Sequence, residues 1–286
     1  MTIPTLNRHL IKGCDKIEKL YNIKVKQYGK EKQITVYEKP VVTGFNSQFK
    51  GLTKEQIIKK PTTINEFKVK ALKSYRSAKI RSKNKIYDYS RSNEWDWFVT
   101  ITFDPQKVES KNYSEVSKKL SNWIDRTKRR YAPNMKYVFV PELHKSGRYH
   151  FHGLISDCET LEFTDSGHKT NTGDIIYNIG KYTMGFTTAT KVKDSTRVTK
   201  YIGKYITKEL ASMVKGKKRY WASRNCKLPD IEYYYNEVKK ETKQEVLRKL
   251  HDDLISQNGF VYGSQRDVIS LNGNENFIRY YEFVEG

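Results

Sequence analysis

Period-two alternation is clearest over Trp95–Phe103, "WDWFVTITF", where Trp97, Val99, Ile101 and Phe103 fall on one side and Phe98, Thr100 and Thr102 on the other. That pattern predicts a strand with an apolar face and a mixed one. "SEVSKKLSNWIDRTKRRY" follows with helical spacing, placing Val116, Leu120, Trp123 and Ile124 on one inner stripe. "MKYVFVPEL" and "RYHFHGLIS" then read as two strands close enough to pair as a hairpin, and "MGFTTATKV" as another. "STRVTKYIGKYITKELASMV" predicts a helix whose apolar stripe is Val198, Ile202, Ile206, Leu210 and Met213.

The resulting order is strand, helix, strand, strand, a short helical or looped segment, strand, helix. It predicts an α+β fold with a ferredoxin-like, RRM-like antiparallel sheet and flanking helices. Three regions are expected: residues 1–67, basic and of unclear role, with a small strand pair in "NIKVKQYGKEKQITVYEKPVVTGF"; residues 68–230, the principal domain with a basic lead-in helix; and residues 231–286, a helical tail. The lead-in, Lys68 to Arg91, holds nine basic residues against the single acid Asp88, with Ala71, Tyr75, Ala78 and Ile80 at helix-compatible spacing.

Charge narrows the partner. Lys and Arg outnumber Asp and Glu by 54 to 32, a formal net charge of +22, and 21 tyrosines add stacking surfaces. Phosphate-bearing polymers fit that combination better than a merely solvated surface. Three scattered cysteines form neither a disulfide framework nor a CxxC pair, so a reducing cytoplasm is expected. The first twenty residues carry no signal-peptide pattern and no apolar run approaches membrane-spanning length, so no membrane partner is expected.

The chemistry gathers in "PELHKSGRYHFHGLIS". In a strand, His150 and His152 share a face while Phe151 points the other way. If Lys145, Ser146 and Gly147 make a three-residue turn, with Gly147 in the left-handed region, Glu142 stands directly opposite His150 and His144 lies nearby. A two-residue turn would send Glu142 to the far face. Two imidazoles and a carboxylate with open positions suit Mg²⁺ or Mn²⁺ acting on a phosphodiester, and the same set can hold catalytic Zn²⁺.

On the helix "YIGKYITK", Tyr201 and Tyr205 lie about 40° apart beside Lys204 and Lys208, at the margin of the apolar stripe. A phenol with a pKa near 10 is only about 0.1% ionised at pH 7, roughly 4 kcal/mol against attack unless assisted. The two lysines are placed to stabilise phenolate. Phosphate and base contacts are expected from Lys79, Arg81 and Lys83 on the lead-in helix, Thr100 and Thr102 on the sheet, Arg148 beside the histidines, and Arg219 and Arg224 in "RYWASRNCKLP".

"FVTITF", "HFHGLI" and "YIGKYITK", in this order, resemble the three motifs of HUH endonucleases, the rolling-circle replication initiators of small single-stranded DNA phages and bacterial plasmids. The resemblance runs from about Ser74 to Pro229 and is closest to the two-tyrosine type. It implies that His150 and His152 bind the metal with Glu142, or alternatively His144, as third ligand. It also implies that Tyr201 attacks the scissile phosphate, with Tyr205 placed for termination, to leave a 5′-phosphotyrosine and a free 3′-OH. Single-stranded or supercoiled origin DNA, a host helicase and a host polymerase are the implied partners, and no GxxxxGK[ST] motif indicates a fused helicase. A relaxase or single-strand transposase of the same fold, or a nucleic-acid-binding module without catalysis, are the other readings these residues allow.

Overall fold

A computed structural model describes residues 19–29, 31–43, 64–193, 217–235, 260–269 and 275–284. The chain divides into two compact units, Ser74–Leu228 and a second drawn from Met1–Lys73 and Pro229–Gly286.

The Ser74–Leu228 unit is built on a seven-stranded antiparallel sheet. Its strands are β3 (Trp97–Phe103), β4 (Lys136–Leu143), β5 (Tyr149–Ser156), β6 (Phe163–Lys169), β7 (Ile175–Ile179), β8 (Gly185–Lys191) and β9 (Trp221–Ala222), in the order β6-β7-β8-β3-β5-β4-β9. The two strands that precede them in the chain are β1 (Lys19–Tyr28) and β2 (Glu31–Thr43). Helix α1 spans Ile64–Arg91 and α2 spans Tyr113–Arg130. The α+β class and the antiparallel ferredoxin-like sheet with flanking helices are as the hydrophobic pattern predicts. β3, α2 and β4 form a split unit with β5 inserted between the two strands.

Local sequence explains α2. Asn112 caps it, its side-chain oxygen accepting from the backbone N–H groups of Ser114 and Glu115 at 3.0 and 3.3 Å. Glu115 in the first turn and Lys128, Arg129 and Arg130 in the last match the helix dipole. Its stripe of Val116, Leu120, Trp123 and Ile124 is buried in one cluster with Val99, Ile101, Phe103, Phe139 and Phe151. Trp123 meets Phe139 edge-on at 6.3 Å, and Phe103 meets Phe151 the same way at 6.0 Å.

Gly153 completes this packing. It pairs with Phe139 across β5 and β4, and a Cβ added at 153 would come 2.2 Å from the Phe139 ring. The glycine after the histidine pair therefore leaves room for an aromatic ring that covers the sheet.

Three expectations change. Residues 163–179, anticipated as a short helical or looped segment, form the β6–β7 hairpin that extends the sheet. Trp97 anchors it by stacking on Phe163 at 4.0 Å, an attraction between strands that a single-segment reading does not see. On α1, Ile80 is 57% exposed and Ile86 fully buried, because Tyr75, Ala78, Ser82 and Ile86 follow one side at 3.6-residue spacing whereas Ile80 lies well off it. Residues 231–286, anticipated as a helical tail, contribute β10 (Asp230–Tyr234), β11 (Phe260–Ile269) and β12 (Glu275–Val284).

Those strands join β1 and β2, the anticipated N-terminal pair, in a five-stranded antiparallel sheet of order β10-β1-β2-β12-β11. Ile23, Ile34, Val36 and Tyr281 form its buried cluster. "FVYGSQRDVI" and "ENFIRYYEFV" are rich in the β-branched and aromatic residues that favour such a sheet. Residues 236–257, where the tail helix was expected, lie outside the described residues.

Candidate active site

Strand pairing sets the site. β4 and β5 pair with Glu142 opposite His150 and Val140 opposite His152. The turn between them is the three-residue form: Gly147 has φ 78°, and the backbone N–H groups of His144 and Gly147 donate to the Arg148 and His144 carbonyls at 2.8 Å. β3 then sets Thr102 opposite His150 and Thr100 opposite His152. One face of the sheet thus carries Glu142, His150 and Thr102 on one rung and His152 and Thr100 on the next.

The threonines fix the imidazoles. Thr100 Oγ1 is 3.0 Å from His152 Nδ1, and Thr102 Oγ1 is 3.1 Å from His150 Nδ1. A hydroxyl can donate to or accept from Nδ1, so either tautomer is served. Nε2 becomes the outward nitrogen of each ring. On His152 it lies 2.5 Å from Glu142 Oε2, a charge-assisted pairing that is largely shielded from solvent. Phe98 stacks along the His152 ring at 6.0 Å, and the His150 ring lies 5.3 Å from that of His144.

His150 is held below its ordinary imidazole value. Burial is the main cause; His144 and His152 add repulsion, Glu142 opposes it, and Arg148 adds a smaller push in the same direction. A neutral His150 is the form that offers a lone pair.

Among the described residues, no three His, Cys, Asp or Glu side chains stand close enough together to hold a metal ion. The donor chemistry nonetheless suits one. A hydrogen bond at Nδ1 is how imidazole ligands are oriented from behind, and His150, His152 and Glu142 are the side chains that would hold a divalent cation.

The remaining predicted residues are distributed. Arg148 is exposed on the hairpin turn. The Arg219 guanidinium lies over the Tyr75 ring at 5.7 Å, and its buried Nε has no hydrogen-bond partner among the described residues. Arg224 is exposed in the loop after β9, and Lys79, Arg81 and Lys83 lie along α1, with Arg81 and Lys83 exposed. None of these is on the strands that carry Glu142, His150 and His152. Tyr201, Lys204, Tyr205 and Lys208 lie outside the described residues.

Two features were not apparent from the residues alone. Thr100 and Thr102, expected to contact DNA, stand beside the histidines as their hydrogen-bond partners; the alternation of "VTIT" against "HFH" would reveal this once the register is known. Phe186 on β8, opposite Thr102, is 72% exposed on the same face.

With the site in view, one comparison bears on it. A family model described as Replication-associated protein ORF2 matches residues 96–210, about two-fifths of the chain. That span contains β3 to β8 and the segment bearing Tyr201 and Tyr205. The match supports a replication initiator. No curated protein and no solved structure matches the chain. No helix among the described residues is long and apolar enough to cross a membrane.

Proposed function

We propose that this protein starts rolling-circle replication by nicking one strand of origin DNA through metal-dependent tyrosine attack, and later rejoins that strand. The observation that carries the reading is the Thr-anchored histidine pair beside Glu142, inside the span matched by the replication-protein model.

His150, His152 and Glu142 would hold Mg²⁺ or Mn²⁺, with His144 the alternative third ligand. When bound, the ion supplies Lewis-acid stabilisation of the charge that builds on the scissile phosphate. Thr100 and Thr102 keep the rings oriented. Tyr201 or Tyr205 supplies the phenolate oxygen, and Lys204 and Lys208 stabilise its charge. A bond forms between that oxygen and phosphorus while the bond to the 3′ oxygen breaks, and a proton goes to the departing 3′ oxygen. The products are a 5′-phosphotyrosine and a 3′-OH that a host polymerase extends behind a host helicase. Because the new ester keeps the energy of the broken one, attack by a 3′-OH reverses the step without ATP.

Labelled single-stranded oligonucleotides tiling the replicon's origin, incubated with Mn²⁺ or with chelator, test this on a denaturing gel. A metal-dependent covalent adduct on Tyr201 or Tyr205 is the expected result. Tight, salt-sensitive binding with no adduct on any fragment would instead identify a nucleic-acid-binding module.

A further inference from the structure

We infer that Phe186 is a base-stacking platform that positions one unpaired nucleotide of the DNA strand beside the histidine pair. This rests on the single-stranded substrate of the proposed function and adds a residue to it.

Four adjacent strands carry one rung of paired residues: Glu142 on β4, His150 on β5, Thr102 on β3 and Phe186 on β8. Residues opposed across antiparallel strands share a face, so the Phe186 ring stands on the same side as the imidazoles. It is two strand spacings from His150, roughly 10 Å. The neighbouring β8 residues agree with this orientation: Thr187 and Ala189 are buried, whereas Phe186 and Thr188 are exposed.

A lone exposed apolar side chain is ordinary on a protein surface; what sets Phe186 apart is its place in line with the histidine pair on the same face of the sheet. Phe186 is 72% exposed, the largest exposure among the large hydrophobic residues described. Its place is fixed by backbone. Gly185 has φ 149°, and a Cβ there would come 2.3 Å from the Thr102 carbonyl oxygen, so the chain enters β8 pressed against β3 at a point only glycine allows. Among the described residues, its same-face neighbours opposite on β3 and two along β8 are Thr102 and Thr188, both hydroxyl-bearing. That surrounding suits a flat ring with polar edges better than an apolar protein surface. With a chain charge of +22 and Arg148 exposed on the turn at the same end of β5, the occupant that fits is a nucleobase whose phosphates meet the positive charge.

Such a platform reads only a base that has left its stack, which makes the site prefer single-stranded over duplex DNA at this nucleotide. The test uses full-length wild type, Phe186→Leu and Phe186→Trp with an origin oligonucleotide carrying 2-aminopurine at successive positions. Because Phe186 is exposed, both variants should melt as wild type does. Phe186→Leu should weaken single-strand binding about 5- to 100-fold, and Phe186→Trp should restore it. One 2-aminopurine position near the cleavage site should be quenched in wild type and in Phe186→Trp but not in Phe186→Leu. The expected kinetic signature is a raised KM for cleavage, with kcat little changed.

Equal affinity and equal quenching in wild type and Phe186→Leu, with cleavage intact, would overturn the platform and leave the nuclease reading standing. Failure of wild type itself to bind or cleave any single-stranded origin fragment would instead remove the reading on which the platform rests.

Discussion

The two faces of the seven-stranded sheet are made by the same strands, one residue out of phase, and have opposite chemistry. On the α2 face stand Val99, Ile101, Phe103, Phe139 and Phe151, all essentially inaccessible to solvent. On the other stand Thr100, Thr102, His150, His152 and Glu142, polar groups bonded to one another. Phe151 sits between the two histidines and anchors them from behind, against Phe103 and Trp221. The difference teaches how a strand delivers precision: the core fixes the backbone, and the pleat turns alternate residues into an ordered row of polar side chains.

Variants on the two faces should therefore separate stability from activity. The largest expected effect is on the polar face, where replacing His150 and His152 together by alanine should abolish nicking while leaving most DNA affinity, since phosphate contacts from Lys and Arg would remain; gel-shift and cleavage assays on the same protein check it. Next comes the core face: Phe151→Ala should lower stability by about 3–5 kcal/mol, measured by denaturant unfolding, and reduce activity only in proportion to the folded fraction. Thr100→Val and Thr102→Val keep shape and remove the hydroxyl. Each should cost about 10- to 100-fold in Mn²⁺ affinity with little change in melting temperature, and an unchanged affinity would show that the hydroxyls do not orient the rings.

The smallest effect is one of pH. His150 binds its proton less readily folded than unfolded, because burial disfavours imidazolium. Between its depressed folded value and the ordinary value of about 6.5, the unfolded chain holds more protons. Stability should consequently rise with pH across that window and fall as pH is lowered through it. Denaturation curves at several pH values should show this slope in wild type and a shallower one in His150→Gln; a slope of opposite sign would contradict the burial of a neutral imidazole.

Much of this was legible in the chain, for identifiable reasons. Gly147 dictates the turn, the turn dictates the register, and the register brings Glu142 to His150. The alternation in "WFVTITF" and the stripe of α2 likewise read directly, since one period governs each. What could not be read depends on neighbours distant in sequence. The β6–β7 hairpin is held by Trp97 from another strand, and β12 pairs with β2 across more than two hundred residues. The hydrogen bonds of Thr100 and Thr102 to the imidazoles were not legible because only the β3–β5 pairing sets them beside His152 and His150.

Binding of Mn²⁺ to the folded protein, followed by titration calorimetry without DNA, tests the central claim most directly. Wild type should take up one ion per chain, Glu142→Gln should bind it more weakly, and the variant lacking His150 and His152 should not bind it. Uptake undiminished in the histidine variant would show that this polar face is not the metal centre.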